Sequence, residues 1–229
     1  MSEVKPMATL ADPAVARVLD ALHRDARKDV RHGLAVLPRF LIGKVRGKSL
    51  MQALTPAMVR RMYLPVSPSG GRLLYALARG TGARSIVEFG TSFGISTIYL
   101  AAAALDNGGR VITTEIEASK CRAAADNLRR AGLVDVVDVR EGDATATLAD
   151  VAAPVDMVFL DGWKDLYLPV LDRLLPALRA GSVVVADNVN FADARPYLDR
   201  VRAGGDFASA VLPGGRMELS WYLPAVSVG

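Results

Sequence analysis

Apolar and polar positions along this chain follow two periods, and the changes of period mark out its elements. Asp12-Pro13 supplies a cap followed by proline at a first helical position, and Val15, Leu19 and Leu22 then recur at helical spacing, predicting an amphipathic helix over 13–32. Two more apolar patches follow. Leu34 to Val45 ends at Gly47, and Leu50 to Met62 reads as helical up to the break at Pro65-Val66-Ser67-Pro68. Residues 1–61 therefore read as a helical appendage and 62–229 as the main domain. From residue 72 short β-branched runs alternate with helical stretches. The predicted strands are Ser85–Phe89, Arg110–Glu115, Val134–Arg140, Val155–Leu160 and Ser182–Ala186. Helices fall between them near Gly94–Leu105, Glu117–Ala131, Thr145–Val151 and Leu166–Arg179. This alternation, with near-continuous apolar strands, predicts an α/β fold: a Rossmann-like, doubly wound, mostly parallel sheet. The end differs. Phe207 to Leu212, then Pro213-Gly214-Gly215, then Arg216 to Leu223 predicts an antiparallel hairpin that closes the sheet.

Composition narrows the class. The 229 residues are 51% apolar and 23% charged, which suits one α/β domain with a decorated end. A net charge of only +4 with that apolar content excludes disorder. The most apolar stretch, Ile98 to Leu105, is far shorter than the roughly 20 residues a membrane span needs. Met1-Ser2-Glu3-Val4-Lys5-Pro6 carries no apolar run with a cleavage site, so a soluble cytoplasmic protein is expected. Cys121 is the single cysteine, which excludes an internal disulfide or a thiolate metal cluster, and its helical setting predicts a half-buried structural thiol. Charge is uneven: residues 1–61 hold 12 Lys and Arg against 5 Asp and Glu, and the remainder 16 against 19. The basic stretch His23 to His32 could meet nucleic acid, a phosphorylated substrate or an acidic partner. Interleaved Asp25 and Asp29, and the lack of aromatic residues, favour a solvated helix face, so nucleic acid is not the expected partner. The apolar faces of the N-terminal helices exceed what a short appendage must cover, which points to a homodimer.

The first candidate site lies where strand one empties into Val87-Glu88-Phe89-Gly90-Thr91-Ser92-Phe93-Gly94-Ile95-Ser96. A strand, a glycine turn and a helix make a ligand-approach site at the carboxyl edge of a parallel sheet. The glycines are spaced Gly90-x-x-x-Gly94 with serine at 92, not G-x-G-x-x-G, which argues against a dinucleotide. Strand two ends in Glu115, and one carboxylate there can accept hydrogen bonds from two vicinal ribose hydroxyls. Strand three ends in Glu141-Gly142-Asp143-Ala144. Together these resemble the S-adenosylmethionine (AdoMet) site of class I methyltransferases.

A second constellation follows strands four and five. Strand four exits into Leu160-Asp161-Gly162-Trp163-Lys164, and strand five into Ala186-Asp187-Asn188-Val189. Each puts an acid at the first position past an apolar strand. If the strands are neighbours, the exits lie roughly 5 Å apart, the interstrand spacing, and Asp161, Asp187 and the Asn188 amide oxygen converge. Three hard oxygen donors suit Mg²⁺ or Mn²⁺, not zinc. Taken singly, each Asp also reads as a cap for the following helix.

Met157-Val158-Phe159-Leu160-Asp161-Gly162-Trp163-Lys164 and Ala186-Asp187-Asn188-Val189 closely resemble the cation-dependent O-methyltransferases, the family of catechol O-methyltransferase and the caffeoyl-CoA enzymes. The likeness covers about residues 62–205. It implies that Asp161, Asp187 and Asn188 hold the metal and that Lys164 is the general base. It also implies a cofactor site of Val66, Glu88, Gly90, Ser92, Ser96, Glu115, Ile116, Asp143, Ala144, Asp161 and Trp163. In it Glu115 holds the ribose, Ile116 and Trp163 sandwich the adenine, and the acceptor is a vicinal-diol aromatic. The chemistry is coherent, because a cation holding two adjacent oxygens acidifies them, and a lysine beside it sheds a proton more readily. Base N-methyltransferases carry a proline-rich turn where this chain has Asp161-Gly162-Trp163-Lys164, and His23 and His32 lie too far upstream for a histidine base. A non-catalytic AdoMet-binding protein would not need both acids, Asn188 and Lys164 together.

Two departures from the family bear on the acceptor. Mammalian members have histidine at the position of Gly162, so the site here is expected to be opened by one side chain. Their catechol-orienting glutamate lies in a longer terminal segment; this hairpin is roughly eight residues shorter, and Ser209 falls nearest that place. Met62 and Ala192 stand where mammalian members have bulkier or stiffer wall groups, so a larger acceptor is expected.

Overall fold

The computed structural model describes residues 8–33 and 66–225, the side chains of 28–33 excepted. The patches Leu34 to Val45 and Leu50 to Met62, with the Met62 wall position, lie outside the described residues. Seven strands form one sheet: β1 Ser85–Phe89, β2 Arg110–Glu115, β3 Val137–Glu141, β4 Val155–Leu160, β5 Leu178–Ala186, β6 Phe207–Val211 and β7 Glu218–Tyr222. Their order is β3-β2-β1-β4-β5-β7-β6. The first five are parallel, and β7 runs antiparallel to both β5 and β6. The expected doubly wound sheet with a closing hairpin is the one observed.

The described helices are α1 Pro13–Gly33, α2 Pro68–Gly80, α3 Ile95–Asn107, α4 Ala118–Arg130, α5 Ala144–Thr147, α6 Tyr167–Leu174 and α7 Arg195–Ala203. They cover both faces of the sheet. Strand residues alternate between two cores, as a period of two requires. Ile86, Met157, Phe159, Val183 and Val185 face α1, α2, α3 and α4, while Val87, Val158, Leu160, Val184 and Ala186 face α5, α6 and α7. Helix α3 is apolar all round and buried from Ile95 to Ala104, because it lies between the sheet and other helices. Each fully buried Leu, Ile or Phe in these layers contributes about 1.5–3 kcal/mol.

Several expected boundaries shift. Val134–Val136 forms a 3₁₀ turn and strand pairing begins at Val137, while β5 starts four residues early, at Leu178. The helix expected over Thr145–Val151 shrinks to the single turn of α5, which Asp143 caps by accepting from the Thr145 N–H at 2.7 Å. Helix α6 ends at Leu174, where Pro176 follows in a 3₁₀ turn. Helices α2 and α7 were not expected. In α2 Ser67 caps the Gly70 N–H at 3.1 Å and Pro68 opens the first turn, but Gly70-Gly71 blurs the periodicity.

The N-terminal segment is less peripheral than its composition suggests. Val15, Val18, Leu19 and Leu22 of α1 lie in the first core, so this helix covers its apolar face within the chain. Thr9 fastens the segment by donating its hydroxyl to Asp106 at 2.5 Å. Arg24, Asp25 and Arg27 are exposed, as a solvated face requires, but His23 turns inward and meets the Tyr99 hydroxyl at 3.2 Å. Cys121 is buried rather than half-buried, and burial pushes its thiol up to about 11, the setting of an inert structural cysteine. Among the described residues no helix is long and apolar enough to cross a membrane.

Candidate active site

The ends of β1, β2, β4 and β5 assemble the site at the carboxyl edge of the sheet. The β1 exit turns sharply at Gly90 (φ 108°), whose N–H donates to the Thr114 carbonyl at 3.1 Å. A Cβ at Gly90 would stand 2.8 Å from the Asp161 carbonyl carbon and the Gly162 nitrogen. Only glycine lets the β1 turn pass so close to the β4 exit. Ser92 is also left-handed (φ 48°), and its N–H donates to Glu115 Oε2 at 2.9 Å. Glu115 Oε1 accepts from the Glu117 N–H at 3.0 Å, so its carboxylate is oriented by two backbone donors and keeps further lone pairs.

Glu88 is the most constrained acid of the turn. It is fully buried; Oε2 accepts from Thr97 at 2.5 Å and Thr113 at 2.7 Å, while Oε1 has no partner among the described residues. Burial, reinforced by Asp161, pushes its carboxyl from an ordinary 4.5 up to about 7, although the Thr113 and Thr97 hydrogen bonds pull the other way. Between pH 4.5 and 7 the folded chain keeps a proton that the unfolded chain has lost, so the contribution of Glu88 to stability falls as pH rises through that window. Glu88→Gln should remove a cost on the order of 3 kcal/mol above pH 7 in the cofactor-free protein. Urea unfolding at pH 5 and pH 8 tests this: an equal pH effect in the parent and the variant would refute it.

The other cofactor candidates surround this turn. Val66 is buried just before the Ser67 cap, and Ser96 is buried in the first turn of α3. Ile116, directly after Glu115, is 59% exposed, an open apolar surface at the sheet edge. Asp143 caps α5, and its hydrogen bonds from Thr145 hold its carboxyl below the usual range, while Ala144 is buried beside it. Trp163 is partly buried against the second core.

Strands β4 and β5 are parallel neighbours, with Leu160 opposite Ala186, so the two acid exits do meet. The ladder runs one residue further on each side: the Asp161 N–H donates to the Phe89 carbonyl at 2.8 Å and the Asp187 N–H to the Leu160 carbonyl at 2.9 Å. Burial, with the Asp187 charge adding to it, pushes the Asp161 carboxyl up to about 6 even though Lys164 opposes the shift. Asp187 is 3% exposed; its Oδ1 accepts from the Asn188 backbone at 2.7 Å and from the Asn188 amide at 3.3 Å. Asn188 holds a left-handed backbone (φ 56°), which Asn tolerates better than most side chains. Among the described residues no three His, Cys, Asp or Glu side chains gather as a metal cluster; the oxygen donors here are two carboxylates and one amide.

Lys164 sits on this pair. Its Nζ donates to Asp161 Oδ1 at 3.1 Å and to the Gly162 carbonyl at 3.0 Å, and lies 5.0 Å above the Tyr167 ring. The Tyr167 hydroxyl donates to the Asp187 carbonyl at 2.8 Å, so one buried aromatic supports both the lysine and the second acid. Sequence reasoning missed this tyrosine, which carries no signal beyond an aromatic at a helix start.

One acceptor-side expectation is corrected. Gly162 does not open the site, because a Cβ there would stand 2.4 Å from the Phe89 ring, which already fills the space. Ser209, the residue nearest the place of the family's catechol-orienting acid, donates its hydroxyl to Glu218 at 2.8 Å and meets Ser220 at 2.7 Å within the hairpin. The residue that the short hairpin brings to the acids is Arg216, whose Nη2 lies 3.5 Å from Asp187 Oδ2.

Comparison with known proteins agrees with this geometry. A family model described as a methyltransferase domain matches residues 87–189. The chain is 39% identical over 145 residues to a catechol O-methyltransferase of Niastella koreensis, covering 62% of each protein. It is 35% identical over 131 residues to that of Sus scrofa, covering 53% of this chain and 69% of the relative. A solved O-methyltransferase from Bacillus cereus, in complex with SAH, superposes with a TM-score of 0.64 at 29% identity, over 72% of this chain and 86% of that one. The chain spans about three fifths of the length of the first bacterial relatives it matches. On the glycine turn, the paired strand exits and these likenesses, the chain belongs to the AdoMet-dependent O-methyltransferases of the catechol and caffeoyl-CoA type.

Proposed function

We propose that this protein transfers a methyl group from AdoMet to one hydroxyl of a small vicinal-diol aromatic, with Mg²⁺ or Mn²⁺ held by Asp161, Asp187 and Asn188. The observation that carries the reading is the meeting of both acids and Lys164 beside the glycine turn. The donor set fits a hard cation. Two carboxylates press on one another at adjacent strand exits, and the partly raised Asp161 carboxyl marks a charge that a cation would relieve. The turn likewise fits AdoMet: the unpartnered Glu88 oxygen is a buried acceptor suited to a cationic methionine end, and exposed Ile116 offers an apolar face for adenine. When bound, AdoMet supplies the activated methyl, and the cation acidifies the acceptor hydroxyls and fixes their direction.

The chain's own residues do the rest. Glu115 orients the ribose, and Trp163 with Ile116 brackets the adenine. Lys164, tethered at the acids, receives the proton that leaves the acceptor hydroxyl. The Phe89 and Tyr167 rings, in edge contact at 6.3 Å between centroids, keep that floor rigid. The acceptor is read as a small molecule, in line with the catechol O-methyltransferases that this chain resembles. The direct test is a methyl-transfer assay with catechols, flavonoids and CoA esters in the presence of Mg²⁺. Methylated phenol products support the reading, and an absence of transfer to every vicinal diol overturns it.

Glu115 gives a separate test of the cofactor half. Glu115→Ala should weaken AdoMet binding by about 1.5–3 kcal/mol, the range for hydrogen bonds to a charged group. The carboxylate also anchors the Ser92 turn, which adds to the loss. Calorimetry returning an unchanged affinity would remove Glu115 from the site.

A further inference from the structure

We propose that Arg216 selects an acidic acceptor: a vicinal-diol aromatic that also carries a carboxylate, which the Arg216 guanidinium pairs with at the mouth of the site. The inference rests on the O-methyltransferase reading above and adds the acceptor's charge.

The fold fixes where Arg216 stands. Between Val211 and Glu218 the chain closes a short turn, with the Leu212 N–H donating to the Met217 carbonyl at 2.8 Å and the Gly215 N–H to the Leu212 carbonyl at 3.0 Å. Gly214 and Gly215 both take left-handed backbone there, at φ 97° and 71°. The Val189 N–H then donates to the Arg216 carbonyl at 2.9 Å. Arg216 is thereby stitched to the residue that follows Asp187-Asn188, whatever its side chain does.

Its side chain differs from those of its neighbours. Arg200 closes a two-pronged pair with Asp206 at 2.6 and 2.7 Å, and Arg202 closes another with Glu218 at 2.8 and 2.7 Å. Those forks are saturated. Arg216 instead reaches Asp187 through one long contact of 3.5 Å and is 61% exposed, while the Asp187 side chain is 4% exposed. A contact that long, with one partner largely in water, adds little stability. It leaves most of the five guanidinium donors turned outward, in the planar fork that matches a carboxylate.

Charge at the mouth favours the same occupant. With Asp161 and Asp187 committed to a divalent cation, the exposed Arg216 guanidinium is left without a compensating charge. The short hairpin supplies no compensating acid at the mouth, because Glu218 is fully buried and held by Arg202 and Ser209. An acceptor that brings its own negative charge restores the balance, and the same contact fixes the ring so that one hydroxyl is presented.

The test compares 3,4-dihydroxybenzoate with the isosteric, uncharged 3,4-dihydroxybenzamide. Calorimetric titration uses the full chain loaded with Mg²⁺ and S-adenosylhomocysteine, and turnover is followed with AdoMet. The parent should bind the acid about 10–100-fold more tightly than the amide, the scale of one charge-assisted pair. Arg216→Gln should collapse that ratio, and Arg216→Lys should retain part of it. The parent should give mainly one product isomer from an acid and a mixture from a neutral catechol, and Arg216→Gln should give mixtures from both. Equal affinity of the parent for acid and amide, or an equal loss for both in Arg216→Gln, overturns the role of Arg216. Methylation of neutral catechols would survive that result. Absence of binding and turnover for every diol instead overturns the O-methyltransferase reading, and this inference with it.

Discussion

Stripping divalent cations with EDTA should reduce methyl transfer to background, and added Mg²⁺ or Mn²⁺ should restore it. Asp187→Ala should not recover with either ion. The expectation follows from the β4–β5 pairing, which places two acids and the Asn188 amide at adjacent exits and surrounds them with low-dielectric packing. A carboxylate must be ionised to bind a cation, and the Asp161 carboxyl stands at about 6 because burial, and then the Asp187 charge, disfavour its ionised form. Above pH 6 it is available to the ion. Below that value protons compete, so Mn²⁺ affinity, read by electron paramagnetic resonance, should weaken progressively as pH falls from about 6. Full turnover in chelator would reduce both acids to helix caps.

The features legible in the sequence were those written in local runs. Parallel strands covered on both faces read as short, near-continuous apolar or β-branched stretches, so β1, β2 and β4 are observed with the expected bounds. An acid directly after such a run is equally visible, which is why Asp161 and Asp187 could be paired before the strand order was known. Helix α2 was hidden because Gly70-Gly71 interrupts its apolar period, and Gly71 is required by a distant ring. A Cβ at Gly71 would stand 2.2 Å from the Tyr99 side chain, so close packing on α3 replaced the apolar residue that periodicity needs.

The acceptor side was the least legible, and for the same reason. Gly162 reads as missing bulk when judged by its own neighbours, yet the bulk is present, supplied by Phe89 from the paired strand. Ser209 falls nearest the missing acid by position alone, and hairpin pairing sets it against Ser220 and Glu218 instead. Arg216 reads only as the first residue of the second hairpin strand, and the return of the hairpin onto Val189 is what brings it to Asp187. Each of these rests on a contact made across strands, where sequence spacing carries no signal.

Lys164→Ala should lower kcat by about 10²–10⁴, the usual scale of general-base catalysis, with AdoMet affinity nearly unchanged. The lysine is placed for this work rather than for solubility. It is 8% exposed, held by Asp161 and the Gly162 carbonyl, and backed by the Tyr167 ring, so its nitrogen stays at the acids where an acceptor hydroxyl must arrive. A base matters most when the proton is hard to remove. The loss should therefore shrink for nitro-substituted catechols, whose hydroxyl is already acidic at neutral pH, and be largest for alkyl catechols. Measured as the ratio of parent to variant kcat across such a series, the dependence on acceptor acidity identifies proton transfer. A loss of equal size for every acceptor would show that Lys164 only positions Asp161, because holding an acid in place helps all acceptors alike. Lys164→Arg sharpens the distinction. It keeps the charge beside Asp161 but cannot give up a proton, so it should be as slow as alanine if Lys164 is the base and close to the parent if it only anchors the acid.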